Sequence, residues 1–353
     1  MSETSIGKFI NEGRKLASIQ TIAEIKPIEG ADRIVAYRIN GWHVVDQKGK
    51  YQVNDSVVMC EVDSFVPTEV APFLTKPDHF PKEFLGIKGE RLRTIKLKGQ
   101  LSQGLLLPMS VLPNIESVGV GFYIEGDDVT SALGILKWEK PLPACLAGVA
   151  KGSFPSFIPK TDQERVQNLS KQIEAMQGEL FEVTIKLDGS SCTIFVNGED
   201  NGVCSRNLEL KQTEGNAFWD IAVEEDVHAK IRSTGRNLAL QGELIGPSIQ
   251  GNYENVVKNE FYVYDVFDID KQKYLLPEER RKIIWELRLK HVPLLNGQYA
   301  DKLFLDAGVQ QLLDMAEGEG MNKGVKREGL VFKHLHSDFS FKAISNSYLL
   351  KEK

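Results

Sequence analysis

Residues 181–191 read Phe-Glu-Val-Thr-Ile-Lys-Leu-Asp-Gly-Ser-Ser, and a second apolar run, 192–196, follows directly. The residues before Lys186 are mostly apolar, β-branched or aromatic, which is typical of a strand. Gly189 allows the backbone to turn or to approach a neighbouring strand closely. The stretch therefore predicts a strand that ends at Lys186, a short turn and a second strand. Taken alone, such a hairpin would more often carry a solvated surface lysine than a functional one.

The sequence around this hairpin mixes strand-like and helical runs. In 277–290, for example, Pro277 opens a helical pattern with acidic residues early and basic residues late, as the helix dipole favours. Residues 161–164, Thr-Asp-Gln-Glu, match a capping box and predict that a helix starts there. The mixture predicts an α+β domain over residues 161–353.

The front of the chain has a different pattern. From Ile19 to about Leu107, short strand-like runs alternate with turn signals such as Asn40-Gly41. Such spacing predicts a small all-β barrel, for which an OB-fold is a natural candidate. The predicted fold class is therefore α+β, with an N-terminal all-β OB-fold barrel at residues 1–110. Residues 111–160, rich in proline, glycine and serine, are predicted to be a linker.

The bulk composition is that of an ordinary folded protein. The 353 residues, 42% hydrophobic and 26% charged, provide room for two domains. No apolar run approaches the ~20 residues that span a bilayer, and no secretory signal is visible. Four cysteines without metal or disulfide spacing suit a reducing compartment. We expect an intracellular monomer, cytoplasmic or, in a eukaryote, nuclear, without a membrane partner.

The charge is unevenly distributed. The net charge of −6 at first sight disfavours a nucleic-acid partner. Between Gly86 and Gln100, however, basic residues strongly outnumber the single acidic one, Glu90. A local basic groove can hold a phosphate backbone even in an acidic protein. The candidate nucleic-acid-binding residues are Arg91, Arg93, Lys96 and Lys98, although a solvated strand face explains the charge alone equally well.

Further charged and aromatic residues follow Lys186 in strand-like contexts. Arg206 could hold a phosphate through its planar fork, and Tyr264 could stack on a base. Glu243 lies beside a glycine, as does a second glutamate. Each residue has an ordinary explanation as core or as a solvated charge. The set in chain order is Arg206, Glu243, Tyr264, Glu328, Lys333 and Lys342.

Together and in this order, these residues resemble the covalent nucleotidyltransferases, which include ATP-dependent DNA and RNA ligases and mRNA capping enzymes. Matches are Lys186 (motif I), Arg206 (motif Ia), Glu243 (motif III), Tyr264-Asp265 (motif IIIa), Glu328 (motif IV) and Lys342 (motif V). The resemblance covers roughly residues 161–353. Residues 242–250, Gly-Glu-Leu-Ile-Gly-Pro-Ser-Ile-Gln, look like the nick-sealing RNA ligases. Residues 27–33 and 95–104 look like tRNA-binding OB modules, so the whole resembles the Deinococcus-type RNA ligases.

The resemblance implies an ATP-dependent RNA ligase that seals 3′-OH/5′-phosphate nicks in duplex RNA or RNA/DNA hybrids, with RNA on the 3′-OH side. Lys186 would take AMP covalently. Metal, Mg²⁺ or Mn²⁺, would be organised by Asp188, Glu243 and Glu328. The catalytic residues implied are Lys186, Asp188, Glu243, Glu328 and Lys342. The ATP-binding residues implied are Lys186, Arg206, Glu243, Tyr264, Val331, Lys333 and Lys342, with Tyr264 and Val331 on the two faces of adenine.

Two positions depart from the family pattern. Ser340 stands where motif V usually carries its first lysine, and Ile185 stands where phage-type relatives often have glutamate. The second departure leaves open how adenine is distinguished from guanine.

Two alternatives remain open. One is a capping-type guanylyltransferase, although such enzymes ordinarily carry an OB domain after motif V, and we expect none here. The other is a non-catalytic RNA- or tRNA-binding factor. Labelling of the protein with ATP or with GTP would distinguish an RNA ligase from the capping-type guanylyltransferase. A missing AMP adduct would favour the non-catalytic binding factor.

Overall fold

The computed structural model describes residues 14–113, 123–139, 149–295 and 303–351. Contacts divide the chain into two compact units. The first unit comprises Met1–Lys140 together with the short segments Gln167–Ser170 and Leu349–Lys353. The second unit comprises Pro141–Val166 and Lys171–Tyr348.

The first unit consists of short strands. Those described are β1 (Ala17–Thr21), β2 (Glu24–Pro27), β3 (Ile34–Ile39), β4 (Trp42–Gln47), β5 (Ser56–Cys60), β6 (Ser64–Pro67), β7 (Lys82–Phe84), β8 (Ile87–Arg91), β9 (Thr94–Leu97), β10 (Gln100–Gln103), β11 (Leu105–Pro108) and β12 (Leu136–Lys137). They form sheets in the orders β1-β5-β11, β2-β3-β4, β9-β10 and β12-β6-β8-β7. The predicted all-β front half is confirmed.

Strand β5 lies at the centre of this unit and is buried on both faces. Val58 and Cys60 pack into one apolar cluster, whereas Val57 and Met59 pack into another. Because successive strand residues point to opposite faces, one strand can serve two clusters. A strand buried in this way explains why its sequence is almost continuously apolar.

The predicted linker at 111–160 is in part structured. Val129, Leu133 and Ile135 are buried and pack into the same apolar cluster as Val58. The backbone nearby is also tied down, since Val129 donates a hydrogen bond to the carbonyl of Ala17. The proline and glycine content suggested a linker, but these three apolar residues form part of the hydrophobic core of the first unit. Residues 114–122 and 140–148 lie outside the described part.

The second unit carries the remaining strands and the helices. Its strands are β13 (Ala150–Ser153), β14 (Glu164–Arg165), β15 (Leu180–Lys186), β16 (Ser190–Asn197), β17 (Asp200–Cys204), β18 (Leu208–Leu210), β19 (Leu238–Ile245), β20 (Glu260–Asp268), β21 (Lys273–Tyr274), β22 (Lys290–His291), β23 (Leu303–Phe304), β24 (Gly329–His334) and β25 (Ser340–Ile344). The helices are α1 (Ser170–Ala175), α2 (Ala217–Glu224), α3 (Val227–Ser233), α4 (Pro277–Glu286), α5 (Val309–Met315) and α6 (Asn346–Leu349). In the described ranges, no helix is long and apolar enough to cross a membrane.

Two sheets organise this unit. Strands β13-β18-β17-β16-β19-β20-β21 form the larger sheet, with β22 paired to β20. Strands β14-β25-β24-β15-β23 form the smaller sheet. Helices α2, α3 and α4 cover the larger sheet, where Phe218, Ile231 and Ile284 join one large apolar cluster with strand residues such as Ile194 and Leu240. Strands with packed helices confirm the predicted α+β class.

The predicted capping box at 161–164 does not start a helix. Instead, β14 pairs in parallel with β25, and helix α1 begins only at Ser170. The side chain of Asp162 accepts a hydrogen bond from Lys342 of β25. Long-range pairing with β25 has therefore overridden a local signal, as tertiary context often does.

Candidate active site

Lys186 is the last residue of β15 in the smaller sheet, and Ser190 is the first residue of β16 in the larger sheet. The three residues between them, 187–189, carry the chain from one sheet to the other. A Cβ on Gly189 would lie 2.3 Å from the carbonyl oxygen of Leu244, so no larger residue fits without displacing the backbone. The predicted strand–turn–strand is confirmed, although it joins two sheets rather than forming a hairpin.

Glu328 is the direct partner of the Lys186 amine. Lys186 pairs with Gly329 across β15 and β24, so the residue before Gly329 stands beside the strand end. Nζ of Lys186 donates to Oε2 of Glu328 at 2.7 Å. A Cβ on Gly329 would lie 2.3 Å from the carbonyl oxygen of Ala343 in β25. Glycine at this position therefore allows the three strands to pack closely beside the lysine.

Glu243 enters from the larger sheet. It lies in β19, opposite Ser191 of β16 and Tyr262 of β20. Burial raises the pKa of its carboxyl to about 8, since the neighbouring Lys186 ammonium only partly offsets desolvation and the negative charge of Glu328. Burial also raises the pKa of Glu328. The site thus gathers carboxylates from both sheets around one amine.

The charge state of Lys186 follows from these neighbours. Burial by itself disfavours the ammonium form, but the carboxylates of Glu328 and Glu243 outweigh burial and raise the lysine pKa above its ordinary value. Without nucleotide, the amine is therefore a protonated donor rather than a nucleophile. A cation that engaged the same carboxylates would remove this stabilisation and lower the pKa.

Asp188 is held at both its backbone and its side chain. Its backbone N–H donates to Oε1 of Glu254 at 3.0 Å, and its Oδ2 accepts from the hydroxyl of Tyr348 at 2.9 Å. The sequence analysis identified neither Glu254 nor Tyr348. No local pattern marks them, because each is remote in sequence from the residue that it contacts.

Asp162 connects two predicted phosphate-binding residues. Its Oδ1 accepts from Nζ of Lys342 at 2.8 Å, and its Oδ2 accepts from Nη2 of Arg206 at 3.3 Å. Lys342 lies in β25 directly opposite Val331 of β24. The structure thus brings Arg206 and Lys342 together around one carboxylate, that of Asp162, which the sequence analysis did not single out.

Tyr264 and Val331 lie on different sheets. The hydroxyl of Tyr264 is within hydrogen-bond distance of Ser191 (3.3 Å) and Thr161 (3.0 Å), so its ring shares a face with Glu243. Val331 lies opposite Thr184 of β15, two residues from Lys186 and on the same face of the smaller sheet. These placements are compatible with the predicted adenine faces.

Lys333 is at odds with its predicted phosphate role. Its ammonium is buried and donates to the carboxylate of Asp265 and, at 2.8 Å, to the carbonyl of Tyr264. Burial lowers its pKa to about 8, because the attraction of Asp265 does not fully compensate for desolvation. Arg280 and Glu182 complete this buried charge cluster. The Lys333 amine therefore already donates its hydrogen bonds to acceptors within the protein.

The basic stretch between Gly86 and Gln100 is divided between two sheets of the first unit. Arg91 ends β8, whereas β9 begins at Thr94 in another sheet, with buried Leu92 between them. The Arg91 side chain is only 6% exposed and bonds Asp63 at 2.8 Å, and its predicted contact with nucleic acid stays a prediction. Arg93, Lys96 and Lys98 are exposed. The pairing of Arg91 depends on tertiary contact that charge density cannot reveal.

The predicted metal ligands fit a divalent cation by chemistry. Carboxylate oxygens are the donors that Mg²⁺ and Mn²⁺ prefer. In the described part of the chain, no three acidic, histidine or cysteine side chains form a group that could hold a metal ion unaided. Mg²⁺ usually binds one or two carboxylates together with waters and substrate phosphates, so a preassembled protein cage is not required.

Comparisons with known proteins agree with this geometry. A family model described as RNA ligase matches residues 179–344. A second model, described as an OB-fold domain, matches residues 16–109 of the first unit. No curated protein sequence matches the chain.

Solved structures of Naegleria gruberi RNA ligase are similar over almost the whole chain. A ligand-free mutant is 48% identical, covers 96% of this chain and 98% of its own, and superposes with a TM-score of 0.88. The protein with PPi is 47% identical, with coverages of 96% and 99% and a TM-score of 0.87. A mutant with ATP and Mn has 48% identity, the same coverages and a TM-score of 0.87.

Proposed function

Because the chain belongs to the RNA ligase family, we propose that it joins RNA ends through AMP bound covalently to Lys186. The enzyme is an ATP-dependent RNA ligase that uses a divalent metal ion. The observation that carries the proposed intermediate is the position of Lys186. Its amine ends a rigid strand and lies 2.7 Å from Glu328, among carboxylates from two sheets.

In the first step, the deprotonated amine of Lys186 attacks the α-phosphorus of ATP. An N–P bond forms, the bond to the bridging oxygen breaks, and pyrophosphate leaves with the electron pair. Lysine is a weak nucleophile while protonated, so the amine must first lose a proton. Glu328 accepts a hydrogen bond from the amine and is positioned to orient it.

The second and third steps consume the adenylate. A 5′-phosphate oxygen attacks the phosphorus of lysyl-AMP, the P–N bond breaks, and the lysine nitrogen regains a proton. The 3′-OH then attacks the activated 5′-phosphate, forming the phosphodiester and expelling AMP. All three steps are phosphoryl transfers, in which a protein contributes mainly alignment and charge neutralisation.

Asp188, Glu243 and Glu328 would hold the divalent cation. When bound, it supplies positive charge that neutralises the phosphates and offsets the carboxylates around Lys186. Arg206 and Lys342 would hold phosphates, with Asp162 keeping both cations in place before the nucleotide arrives. Tyr264 and Val331 would contact the two faces of adenine.

We assign Lys333 a different role from the other lysines. It fixes the backbone of Tyr264 and the side chain of Asp265, and so supports the base-binding side of the cleft. This role replaces direct phosphate binding. It also explains how a lysine in this motif can be buried.

The proposed substrate is a nicked duplex with RNA on the 3′-OH side. Arg93, Lys96 and Lys98 in and after β9 offer a phosphate-binding surface on the OB-fold unit. We further propose a monomer that works in a reducing compartment, since Cys60, Cys192 and Cys204 are buried free thiols.

Labelled ATP tests the proposal directly. Incubating the enzyme with α-labelled ATP and Mg²⁺ should give a labelled protein band that pyrophosphate reverses, whereas α-labelled GTP should not. Nicked duplexes with RNA or DNA in each strand position should then be sealed only with RNA at the 3′-OH. Failure to label would exclude the lysyl-AMP route, and sealing of all-DNA nicks at equal rate would exclude the substrate.

A further inference from the structure

Glu254 is a buried carboxylate that directly contacts the active-site turn. Its side chain is wholly buried, and its Oε1 accepts the backbone N–H of Asp188 at 3.0 Å. Its other oxygen, Oε2, has no hydrogen-bond partner among the described atoms. Burial raises the pKa of this carboxyl to about 7. A buried carboxylate with an unpaired oxygen costs folding free energy, so stability alone does not account for it.

The loop that presents Glu254 is held in an unusual backbone conformation. Gln250, Asn252 and Asn255 all have positive φ, between 42° and 53°. The side chain of Asn252 bonds both the N–H and the carbonyl of Val256, and Asn322 donates to the carbonyl of Glu254 at 2.7 Å. Non-glycine residues adopt positive φ at a cost, and such conformations persist where the surroundings fix them. This loop is therefore built to hold Glu254 inward.

A second chain of contacts runs from the same loop to the carboxylate of Asp188. The ring of Tyr253 packs edge-on against Tyr348 with centroids 5.4 Å apart, and the Tyr348 hydroxyl donates to Oδ2 of Asp188. The Tyr253 hydroxyl in turn donates to the carbonyl of Lys326, two residues before Glu328. Residues 253 and 254 thus connect the turn after Lys186 with the segment that leads to Glu328.

We propose that Glu254 is a positioning residue for adenylylation, which fixes the Asp188 peptide and thereby the carboxylate of Asp188 relative to Lys186. The inference rests on the proposed function, since it takes Asp188 as a residue that organises the divalent cation. Glu254 itself contacts Asp188 and acts through it. An oriented supporting group of this kind contributes about 10–100-fold to metal affinity or activity.

Three variants of Glu254 separate charge from hydrogen bonding. Glu254→Gln keeps an oxygen acceptor for the Asp188 N–H and removes the charge. Glu254→Asp keeps the charge but is one methylene shorter and withdraws the acceptor. Glu254→Ala removes both. Asp268→Ala is the matched control, because Asp268 is likewise a buried carboxylate, 2% exposed, and also accepts a backbone N–H, that of Lys271 at 3.0 Å.

Three measurements are made on the full chain: the Mg²⁺ dependence of adenylylation, Mn²⁺ binding in the presence of AMP, and hydrogen exchange of the peptide around Asp188. We expect Glu254→Ala and Glu254→Asp to weaken Mn²⁺ binding and raise the Mg²⁺ requirement about 10–100-fold, with faster exchange at Asp188. Glu254→Gln should retain most of the Mn²⁺ affinity and a Mg²⁺ requirement close to that of the wild type. Asp268→Ala should lower the melting temperature without altering metal dependence.

The outcomes are separable from those of the proposed function. If the wild-type protein forms no AMP adduct, the proposed function fails, and the role of Glu254 in adenylylation fails with it. If the wild type is active but Glu254→Asp and Glu254→Ala keep its metal dependence and exchange rates, the positioning role is overturned. Should the alanine variant not fold, the comparison between the aspartate and glutamine variants decides the matter.

Discussion

Nζ of Lys186 donates a hydrogen bond to Oε2 of Glu328, and the two atoms lie 2.7 Å apart. The lysine ends β15, and the glutamate immediately precedes β24, so adjacent strands set the contact. The carboxylates of Glu328 and Glu243 raise the pKa of the amine. The same neighbours that position this proposed nucleophile therefore keep it protonated until positive charge reaches them.

Replacing Lys186 with alanine should abolish AMP transfer from ATP to the protein, because the variant lacks the amine proposed to attack the α-phosphorus. Sealing of a nick with a pre-adenylylated 5′-end should survive in part, since that step needs no lysine nucleophile. Mass spectrometry of the intact protein measures the first effect, and a sealing assay the second. An AMP adduct on the alanine variant would show that another residue is the nucleophile.

The variants Glu243→Ala and Glu328→Ala should each reduce the rate of adenylylation by roughly 10²-fold or more. This is the scale of the loss when one charge-stabilising group is removed. The melting temperature should stay within a few degrees, because the lost carboxylates are crowded and their pKa values are raised. Single-turnover adenylylation and thermal unfolding measure the two effects. Severe destabilisation with normal specific activity would make these glutamates structural.

Asp162→Ala tests the placement of the phosphate-binding cations. Without Asp162, Arg206 and Lys342 lose a carboxylate that both contact, so the KM for ATP should rise about tenfold, comparable to one charged hydrogen bond. The kcat should change less. Steady-state adenylylation at varied ATP concentrations measures both constants. An unchanged KM would mean that Asp162 has no part in preparing the site.

The exposed basic residues of the OB-fold unit are tested by the triple variant Arg93, Lys96 and Lys98 to alanine. If they grip the duplex, which we favour over assistance to pyrophosphate departure, self-adenylylation should persist. Nick binding should weaken and become less dependent on salt, by roughly 0.7–0.9 in log–log slope for each phosphate that is no longer neutralised. A loss of adenylylation instead would indicate the second role. Normal nick sealing by the triple variant at moderate salt would indicate that these residues form only a solvated strand face.

His291 should make the protein less stable in acid. Burial lowers its pKa to about 3, below the 6.5 of an unperturbed histidine, so between pH 6.5 and 3 the unfolded chain binds more protons. The stability contribution is therefore present above pH 6.5 and is lost as pH falls, by up to about 1.4 kcal/mol per pH unit. Urea unfolding at pH 7 and pH 5 should show a steeper decline for wild type than for His291→Gln. Equal declines would contradict this account.

The backbone setting of two motif residues was predictable because it follows a local pattern. The strand before Lys186 and the close approach at Gly189 follow from side-chain type and spacing. The same holds for Glu328 beside Gly329, where the backbone of β25 leaves no room for a Cβ. Local chemistry and local geometry agree at these positions, so the sequence was sufficient.

The supporting residues were not predictable from local pattern. Glu254 contacts Asp188 from 66 residues away, and Tyr348 from 160 residues away. Asp162 lies within a local helix signal, 161–164, which the pairing of β14 with β25 overrides. Arg91 looked like a surface charge but pairs with Asp63, 28 residues earlier. These roles exist only once distant strands have paired.

The hydrogen bond between Asp162 and Lys342 joins residues 180 positions apart, and β14 and β25 pair beside them. During synthesis at about 5–20 residues per second, some 10–40 s separate the appearance of the two partners. For most of that interval, a nascent chain already contains Lys186 but not β25, the strand that carries Lys342. The residue proposed as the nucleophile is therefore synthesised well before the lysine proposed to hold the nucleotide, and the proposed site is complete only once β25 has been made.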